Sequence, residues 1–390
     1  MTVNLRVPGP TPSPAMVLEA SGQQMINHRG PEFRDLIFRL TDNLKTLFAT
    51  TNDLYILTAS GTGAMETAVV NTMSPGDRVL AISVGVFGDR FTTIARTYGA
   101  DVVEMKVEHG KVVDPDDVRK NLRDDPTIKT VIITHNETST GVTNDIASVA
   151  QVVKGEFNKL FLVDAISSIG SIPCPVDAWD LDIVTSGSQK GWMAPPGLAF
   201  VSVSRRAWEA YEEAKCPRFY FDLAAAQRYL ERGQTPWTPA ISVYYAMDTA
   251  TKMLLEEGVE NVFERHDRVA RMCREGIKNL GLELFADESV ASSTVTAVHV
   301  PDGVNGAGES YVVFGKGDWS GTSSLDLSAL DGTSGFRLDG IDQYDSSGRS
   351  VSGAGDINAD GYDDLIIGAS GGDPGGDSGA GESYVVFGGS

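Results

Sequence analysis

The chain has 390 residues, 41% of them apolar, enough to bury one large core or two ordinary ones, which excludes a structureless or fibrous protein. A formal net charge of −21 argues against polyanionic partners, so neither nucleic acid nor an anionic membrane surface is expected. No uninterrupted apolar stretch approaches the roughly 20 residues a membrane helix needs, and the opening MTVNLRVPGPTPSP lacks the charged-then-apolar layout of a secretory signal, so a soluble cytoplasmic protein is expected.

Along the first three-quarters of the chain, short runs rich in Val, Ile and Leu recur at residues 54–58, 79–83, 130–134, 160–163, 182–185 and 198–203. Segments of helical character mostly separate them, an alternation that predicts an α/β domain with a mainly parallel sheet covered by helices. Ligands of such sheets sit beyond the carboxyl ends of the strands, so the residues after each run are the ones to inspect. Cys174, Cys216 and Cys273 are odd in number and far apart, which suits reduced thiols rather than a disulfide framework.

The first run leads into a small-residue turn, Ala59-Ser60-Gly61-Thr62-Gly63, that opens a helix. Such a turn offers backbone N–H groups, hydroxyls and the positive end of a helix dipole to an anion, which makes Ser60, Gly61 and Thr62 candidate phosphate ligands. An ordinary N-cap explains the same residues equally well. Asp164 follows the fourth run, where a carboxylate is costly to bury unless a cation or hydrogen-bond donors meet it. A protonated pyridine nitrogen would do so, and a helix N-cap is the plainer alternative. After the fifth run comes Ser186-Gly-Ser-Gln-Lys190-Gly-Trp-Met-Ala-Pro-Pro-Gly197. A lysine held there at a pocket wall, its pKa lowered by desolvation or a neighbouring cation, could attack an aldehyde as the neutral amine. The order phosphate turn, Asp, then Lys 26 residues later lifts these residues above their separate readings.

These motifs, with PGPTPSP, NHRGPEFRDL, ASGTGAMETA, HNETSTGV, LVDAISS, SGSQKGWMAPPG and TPAISVYY in this order, resemble the class V aminotransferases of the alanine-glyoxylate and serine-glyoxylate group. The resemblance covers residues 3 to about 302 and implies a fold-type I pyridoxal-phosphate enzyme that moves an amino group from a small amino acid, alanine or serine, to glyoxylate or another 2-oxo acid. It implies Lys190 as the Schiff-base lysine and proton carrier and Asp164 as the partner of the pyridine nitrogen. Ser60, Gly61, Thr62 and Gln189 would hold the phosphate of pyridoxal 5'-phosphate. Phe87 would stack on its ring, and Thr138 would lie near the ring oxygen; unaided, Phe87 reads as core and Thr138 as a turn residue. Thr235 or Thr238 would reach the neighbouring subunit's phosphate in a homodimer, with Thr238 carried into the candidate set. Another fold-type I enzyme, such as a lyase, is the alternative reaction. The resemblance disfavours a cysteine desulfurase, which would place a His where Gln189 and Phe87 stand and a nucleophilic cysteine on a loop.

Past Asp302 the composition changes. Residues 303–390 hold 22 of the 42 glycines, no Met, Cys or His, and three basic residues against fourteen acidic ones. GAGESYVVFG occurs at residues 306–315 and again at 379–388. Between the copies, Asp356, Asn358, Asp360 and Asp364, with the Tyr362 carbonyl, stand at the spacing of a calcium loop around Gly361. Position 12 is Ile367, so the loop is no EF-hand. Together these features resemble the FG-GAP repeat of integrin-type β-propellers, which implies a small all-β, calcium-binding segment of about one blade. A second domain, 303–390, is therefore expected after an aminotransferase domain at 1–302, with a calcium-dependent adhesion or interaction protein as the alternative function. The resemblance also implies that residues 303–390 stand where the family has a small C-terminal domain carrying an arginine for the substrate carboxylate. Arg337 and Arg349, which both read as repeat residues, are the arginines after the junction, so impaired amino transfer is the expectation.

Overall fold

The computed structural model describes residues 7–299, 309–313, 335–339, 346–355, 358, 364–372 and 381–386. Chain contacts divide it into two units, residues 1–275 with 284–297, and residues 276–283 with 298–390.

In the first unit, α1 (Ala15–Ser21) and α2 (Pro31–Leu47) precede β1 (Asp53–Thr58), α3 (Gly61–Thr72), β2 (Arg78–Ser83), α4 (Val86–Thr97), β3 (Asp101–Lys106), α5 (Pro115–Asp124) and β4 (Thr130–Thr134). A two-residue hairpin, β5 (Asn136–Glu137) and β6 (Val142–Thr143), leads through α6 (Ile146–Ala150) to β7 (Leu160–Asp164), β8 (Ile183–Gly187) and β9 (Leu198–Val203). Helices α7 (Arg205–Glu213), α8 (Leu223–Leu230), α9 (Ile241–Glu257) and α10 (Val259–Asn279) follow.

Seven strands form one sheet in the order β1-β9-β8-β7-β4-β2-β3. The expected mainly parallel sheet is present: β3, β2, β4, β7 and β8 pair in parallel, and β9 runs antiparallel to both β8 and β1. Six strands coincide with the apolar runs. No apolar run marks β3, whose residues mix apolar with charged and are half-buried or exposed, as suits an edge.

Side-chain alternation sorts the core into two layers. Leu54, Ile56, Leu80 and Ile82 point toward α2 and α9, packing with Phe33, Leu40 and Tyr244. Tyr55, Leu57, Val79 and Ala81 point the other way, onto Met65, Ala68 and Phe91 of α3 and α4. Helix α2 shows how the sequence builds a layer: Pro31 occupies its first turn, and Phe33, Leu36, Ile37, Leu40 and Leu44 recur at helical spacing on its buried face. With β9 alone reversed, the carboxyl ends of β1, β2, β4, β7 and β8 all open on the same edge of the sheet.

The second unit contains the antiparallel pair β10 (Glu309–Val313) and β11 (Gly335–Asp339), and an antiparallel sheet of β12 (Ser347–Gly355), β13 (Asp364–Ala369) and β14 (Glu382–Val386). The repeated ESYVV forms a strand in both copies. Of the expected calcium ligands, Asn358 is exposed between β12 and β13, and Asp364 opens β13 opposite Gly355. Asp356, Asp360 and Tyr362 lie outside the described residues.

Among the described residues no helix is long and apolar enough to cross a membrane, and no group of three or more His, Cys, Asp or Glu side chains is placed to hold a metal ion.

Candidate active site

Each strand that ends on the common edge delivers a polar group there. Beyond β1, Ser60 precedes α3, and its hydroxyl neither caps the helix nor hydrogen-bonds elsewhere among the described residues. The first helical N–H groups, of Gly61 and Thr62, have no intrahelical acceptor by construction. A Cβ at Gly61 would come within 2.6 Å of Ile166 Cδ1, so the turn can lie this close to the next loop only as glycine. These residues form a donor-rich cradle at the positive end of a 12-residue, almost wholly buried helix.

Beyond β2, Phe87 sits half-buried in the first turn of α4. That turn is capped from outside. Glu137, fully buried in the β5–β6 hairpin, accepts the backbone N–H of Phe87 and of Gly88, both at 3.1 Å, and binds its own neighbour Ser139 through N–H and hydroxyl. Three residues on, the Arg90 guanidinium lies 4.7 Å from the Phe87 ring centroid, and its Nη1 donates to the Thr62 hydroxyl at 3.3 Å. Beyond β4, Thr138 donates to Ser167 Oγ at 3.1 Å, and Ser167 Oγ donates to the Asn136 carbonyl at 2.8 Å.

At the end of β7, Asp164 is 2% exposed. Its Oδ1 accepts the Ile166 N–H at 2.9 Å, and its Oδ2 accepts the Thr134 hydroxyl at a long 3.3 Å. No cation pairs with it among the described residues. Burial pushes its carboxyl up to about 7, the nearby Glu137 charge adds to the rise, and the two hydrogen bonds oppose it. Such a carboxylate is short of one positively charged donor.

Beyond β8 come Gln189 and Lys190. Burial holds the Lys190 ammonium below its ordinary value; Asp164 counters this, and Arg90 adds to it. Lys190 Nζ donates to the Pro8 carbonyl at 3.0 Å, and Thr11 ties the same N-terminal segment down through bonds to the Gln189 and Lys190 carbonyls. Gly9 lies against the lysine stem, where a Cβ would meet Cδ and Cε at 2.9 Å. Gln189 Oε1 is buried with no hydrogen-bond partner among the described residues. Since amide orientation is assigned from the surrounding network, the amide can present either its oxygen or its NH2 to an incoming group.

Next to Lys190 a cavity of about 200 Å3 is lined by hydroxyls of Thr11, Thr138, Ser167, Ser171 and Thr294, with His266. A larger hollow of about 950 Å3 lies instead among Asp77, Lys129, Arg206 and Glu213 and contains none of the candidate site residues. Thr235 and Thr238 are not brought to the cluster's hydrogen bonds. Thr235 is buried and spends its hydroxyl on the Trp237 carbonyl at 2.7 Å, whereas Thr238 is exposed and its hydroxyl has no partner among the described residues.

Sequence reasoning missed Glu137, Ser167, Arg90 and the Pro8 carbonyl. Pro8, Glu137 and Ser167 stand inside the quoted motifs, but their contacts are tertiary and no local pattern marks them; Arg90, three residues after Phe87 on a helix, is signalled by helical spacing alone.

Residues 5–312 match the aminotransferase class-V family, and residues 347–386 match the FG-GAP repeat. The chain is 45% identical over 303 residues to a protein of Synechococcus sp. (strain PCC 6716) named soluble hydrogenase, small subunit, covering 77% of this chain and 78% of that one. It is 38% identical to the L-aspartate–glyoxylate aminotransferase of Paracoccus denitrificans (strain Pd 1222), over 80% of this chain and 82% of that one. The crystal structure of an alanine–glyoxylate aminotransferase from Nostoc sp. superposes with a TM-score of 0.74 at 31% identity, covering 78% of this chain and 84% of that one.

Proposed function

The chain belongs to the class-V aminotransferase family, with the α/β fold of fold-type I pyridoxal-phosphate enzymes and a small antiparallel β segment after it, and from that premise we propose that it transfers an amino group from alanine or serine to glyoxylate or a related 2-oxo acid. Pyridoxal 5'-phosphate, which the family implies, supplies when bound an aldehyde that condenses with amines and a cationic ring that draws electron density from the substrate α-carbon.

The observation that carries the reading is the buried, cation-deficient Asp164 on the same strand edge as the desolvated Lys190. In this assignment Asp164 holds a proton on the ring nitrogen, and the new ion pair relieves its burial cost. Ser60 Oγ, the Gly61 and Thr62 N–H groups and the Gln189 amide hold the phosphate. Phe87, oriented by Glu137 through the α4 cap, presents its ring face. Thr138 stands near the ring oxygen, oriented by Ser167. Lys190 Nζ leaves the Pro8 carbonyl, and as the neutral amine its lone pair takes the proton from the substrate α-carbon. The cavity of about 200 Å3 beside Lys190 is small, and its mixed lining of hydroxyls with Pro8, Met193 and Val295 suits a small amino acid such as alanine or serine.

The acceptor rests on a shared element: two relatives differ in the donor their names give, aspartate or alanine, and agree on glyoxylate. In a homodimer, Thr238 is the threonine with a hydroxyl to spare for the partner's phosphate site. Because residues 303–390 stand in place of the segment expected to bring a carboxylate-pairing arginine, cofactor binding is expected to be tight and amino-donor binding weak. The test is to supply the cofactor, alanine or serine, and glyoxylate, and to measure glycine together with pyruvate or hydroxypyruvate. Cofactor-dependent formation of both products in equal amounts is expected; no glycine with any donor would remove the reading, and loss of the amino group without an acceptor would replace it with a lyase.

The FG-GAP match favours a second reading for the last strands, that Asp356, Asn358, Asp360, Asp364 and the Tyr362 carbonyl bind calcium in an interaction module. Heat on titration with calcium is its test, and silence at millimolar calcium would remove it.

A further inference from the structure

We propose that Arg90 is an additional anchor of the cofactor's phosphate, a role that rests on the cofactor reading above. Its guanidinium is in contact with two candidate cofactor residues at once, the Thr62 hydroxyl of the phosphate turn at 3.3 Å and the Phe87 ring at 4.7 Å. Phe87 and Arg90 are three residues apart on α4, so they share a helix face, and the ring holds the cation in place by cation–π attraction.

Among the described residues Arg90 makes no ion pair, although the protein carries 53 acidic residues against 32 basic ones. Arg96, on the same helix, is paired with Glu104 at 2.9 Å. Arg90 instead faces a helix N-terminus, which is itself positive. A lone cation beside a positive dipole is unfavourable unless an anion completes the arrangement. Its field acts on both Asp164 and Lys190, so the anion belongs to the same site. A phosphate monoester fits: the α3 N–H groups and the Ser60 and Thr62 hydroxyls supply neutral donors, and a guanidinium adds charge with forked geometry. Arg90 then gives up the Thr62 hydroxyl to the phosphate oxygens and keeps its place over Phe87.

A substrate carboxylate is the competing anion, and the experiment separates the two. Dissociation constants for pyridoxal 5'-phosphate and for pyridoxal, which lacks the phosphate, are measured by visible absorbance of the bound aldehyde on the unsubstituted protein, Arg90→Met and Arg90→Lys. The expected result is a rise of about tenfold in the dissociation constant for the phosphorylated aldehyde in Arg90→Met, only part of it recovered in Arg90→Lys, which restores the charge but not the fork, with pyridoxal affinity unchanged. Inorganic phosphate should also raise the melting temperature of the cofactor-free protein less in Arg90→Met. Equal losses for both aldehydes would place Arg90 behind the ring rather than at the phosphate and overturn the proposal. Unaltered cofactor affinity with a raised KM for the amino donor would assign it to the substrate carboxylate and overturn it as well. Failure of the unsubstituted protein to bind either aldehyde would overturn the cofactor reading itself, a different outcome from any of these.

Discussion

Asp164 and Asp182 are both almost fully buried, at 2% and 1% exposure, and they stand at opposite edges of one sheet. Asp182 precedes β8, at the amino edge, where its carboxylate takes Lys154 Nζ at 2.6 Å, the Phe161 N–H at 2.9 Å and the Ser204 hydroxyl at 2.9 Å. Asp164 ends β7, at the carboxyl edge, with one good hydrogen bond, one long one and no cation among the described residues. Lysines mirror the contrast: Lys154 is locked in an ion pair, while Lys190 is desolvated against a neutral carbonyl. Buried charge is normally paired because desolvation costs several kcal/mol per ion. One edge obeys that rule, and the other leaves room for a charged molecule to satisfy it.

Substitutions at the two edges should therefore fail in different ways. The largest expected effect is on chemistry: Lys190→Ala should lower amino transfer by about 10³-fold or more, measured as glycine formation, while the urea midpoint at pH 7 hardly moves. A variant that kept half its turnover would remove Lys190 from the reaction. At the amino edge Asp182→Asn should do the reverse. It strands the buried Lys154 ammonium and should cost about 3–5 kcal/mol of stability by urea denaturation, with cofactor affinity per folded molecule unchanged. A loss below 1 kcal/mol would mean that the pair is not the structural one its geometry describes.

The next effect is a pH dependence carried by Asp164. Burial raises its carboxyl to about 7, well above the ordinary carboxylate range. The folded state therefore binds the proton more tightly, and this contribution to stability is complete below about pH 4 and lost as pH rises through about 7. His135, buried and pushed down to about 4, works in the opposite sense, since its contribution is complete above about 6.5 and lost as pH falls toward 4. The two overlap, so the Asp164 share is isolated with Asp164→Asn. That variant should match the parent below about pH 4, where Asp164 is protonated in both folded and unfolded states, and be the more stable of the two at pH 8 in the cofactor-free protein. Added cofactor should remove the parent's loss at pH 8, because the ring cation pairs the carboxylate. Parallel pH profiles for parent and variant would contradict the assignment.

How much of this was legible beforehand follows from where the information is local. Strand cores such as residues 130–134 and 160–163 are continuous apolar runs because both sheet faces are covered, so they announce themselves. Asp164, Lys190 and the Ser60 turn were legible as candidates because ligands of a parallel sheet sit beyond the carboxyl ends of its strands, the edge where the structure places all three. Strand β3 was passed over because an edge strand needs no apolar run. Glu137 was overlooked because its work, capping α4 fifty residues back, is a tertiary contact that no local pattern records. The same holds for the Pro8 carbonyl and Lys190, 182 residues apart.

Gln189 gives the smallest and most discriminating test of the contrast between the edges. Its Oε1 is buried without a partner in the cofactor-free protein, an arrangement that costs about 1–3 kcal/mol for a typical polar group. Gln189→Met replaces the amide with apolar atoms of similar length and removes that cost. The cofactor-free variant should be as stable as the parent or up to about 1 kcal/mol more stable, while its dissociation constant for pyridoxal 5'-phosphate rises several-fold. A clear loss of stability would mean that the amide is satisfied by water and belongs to the structure, as Asp182 does. A gain in stability with weaker cofactor binding would place Gln189 with Asp164, among groups kept unsatisfied at the carboxyl edge for the molecule that binds there.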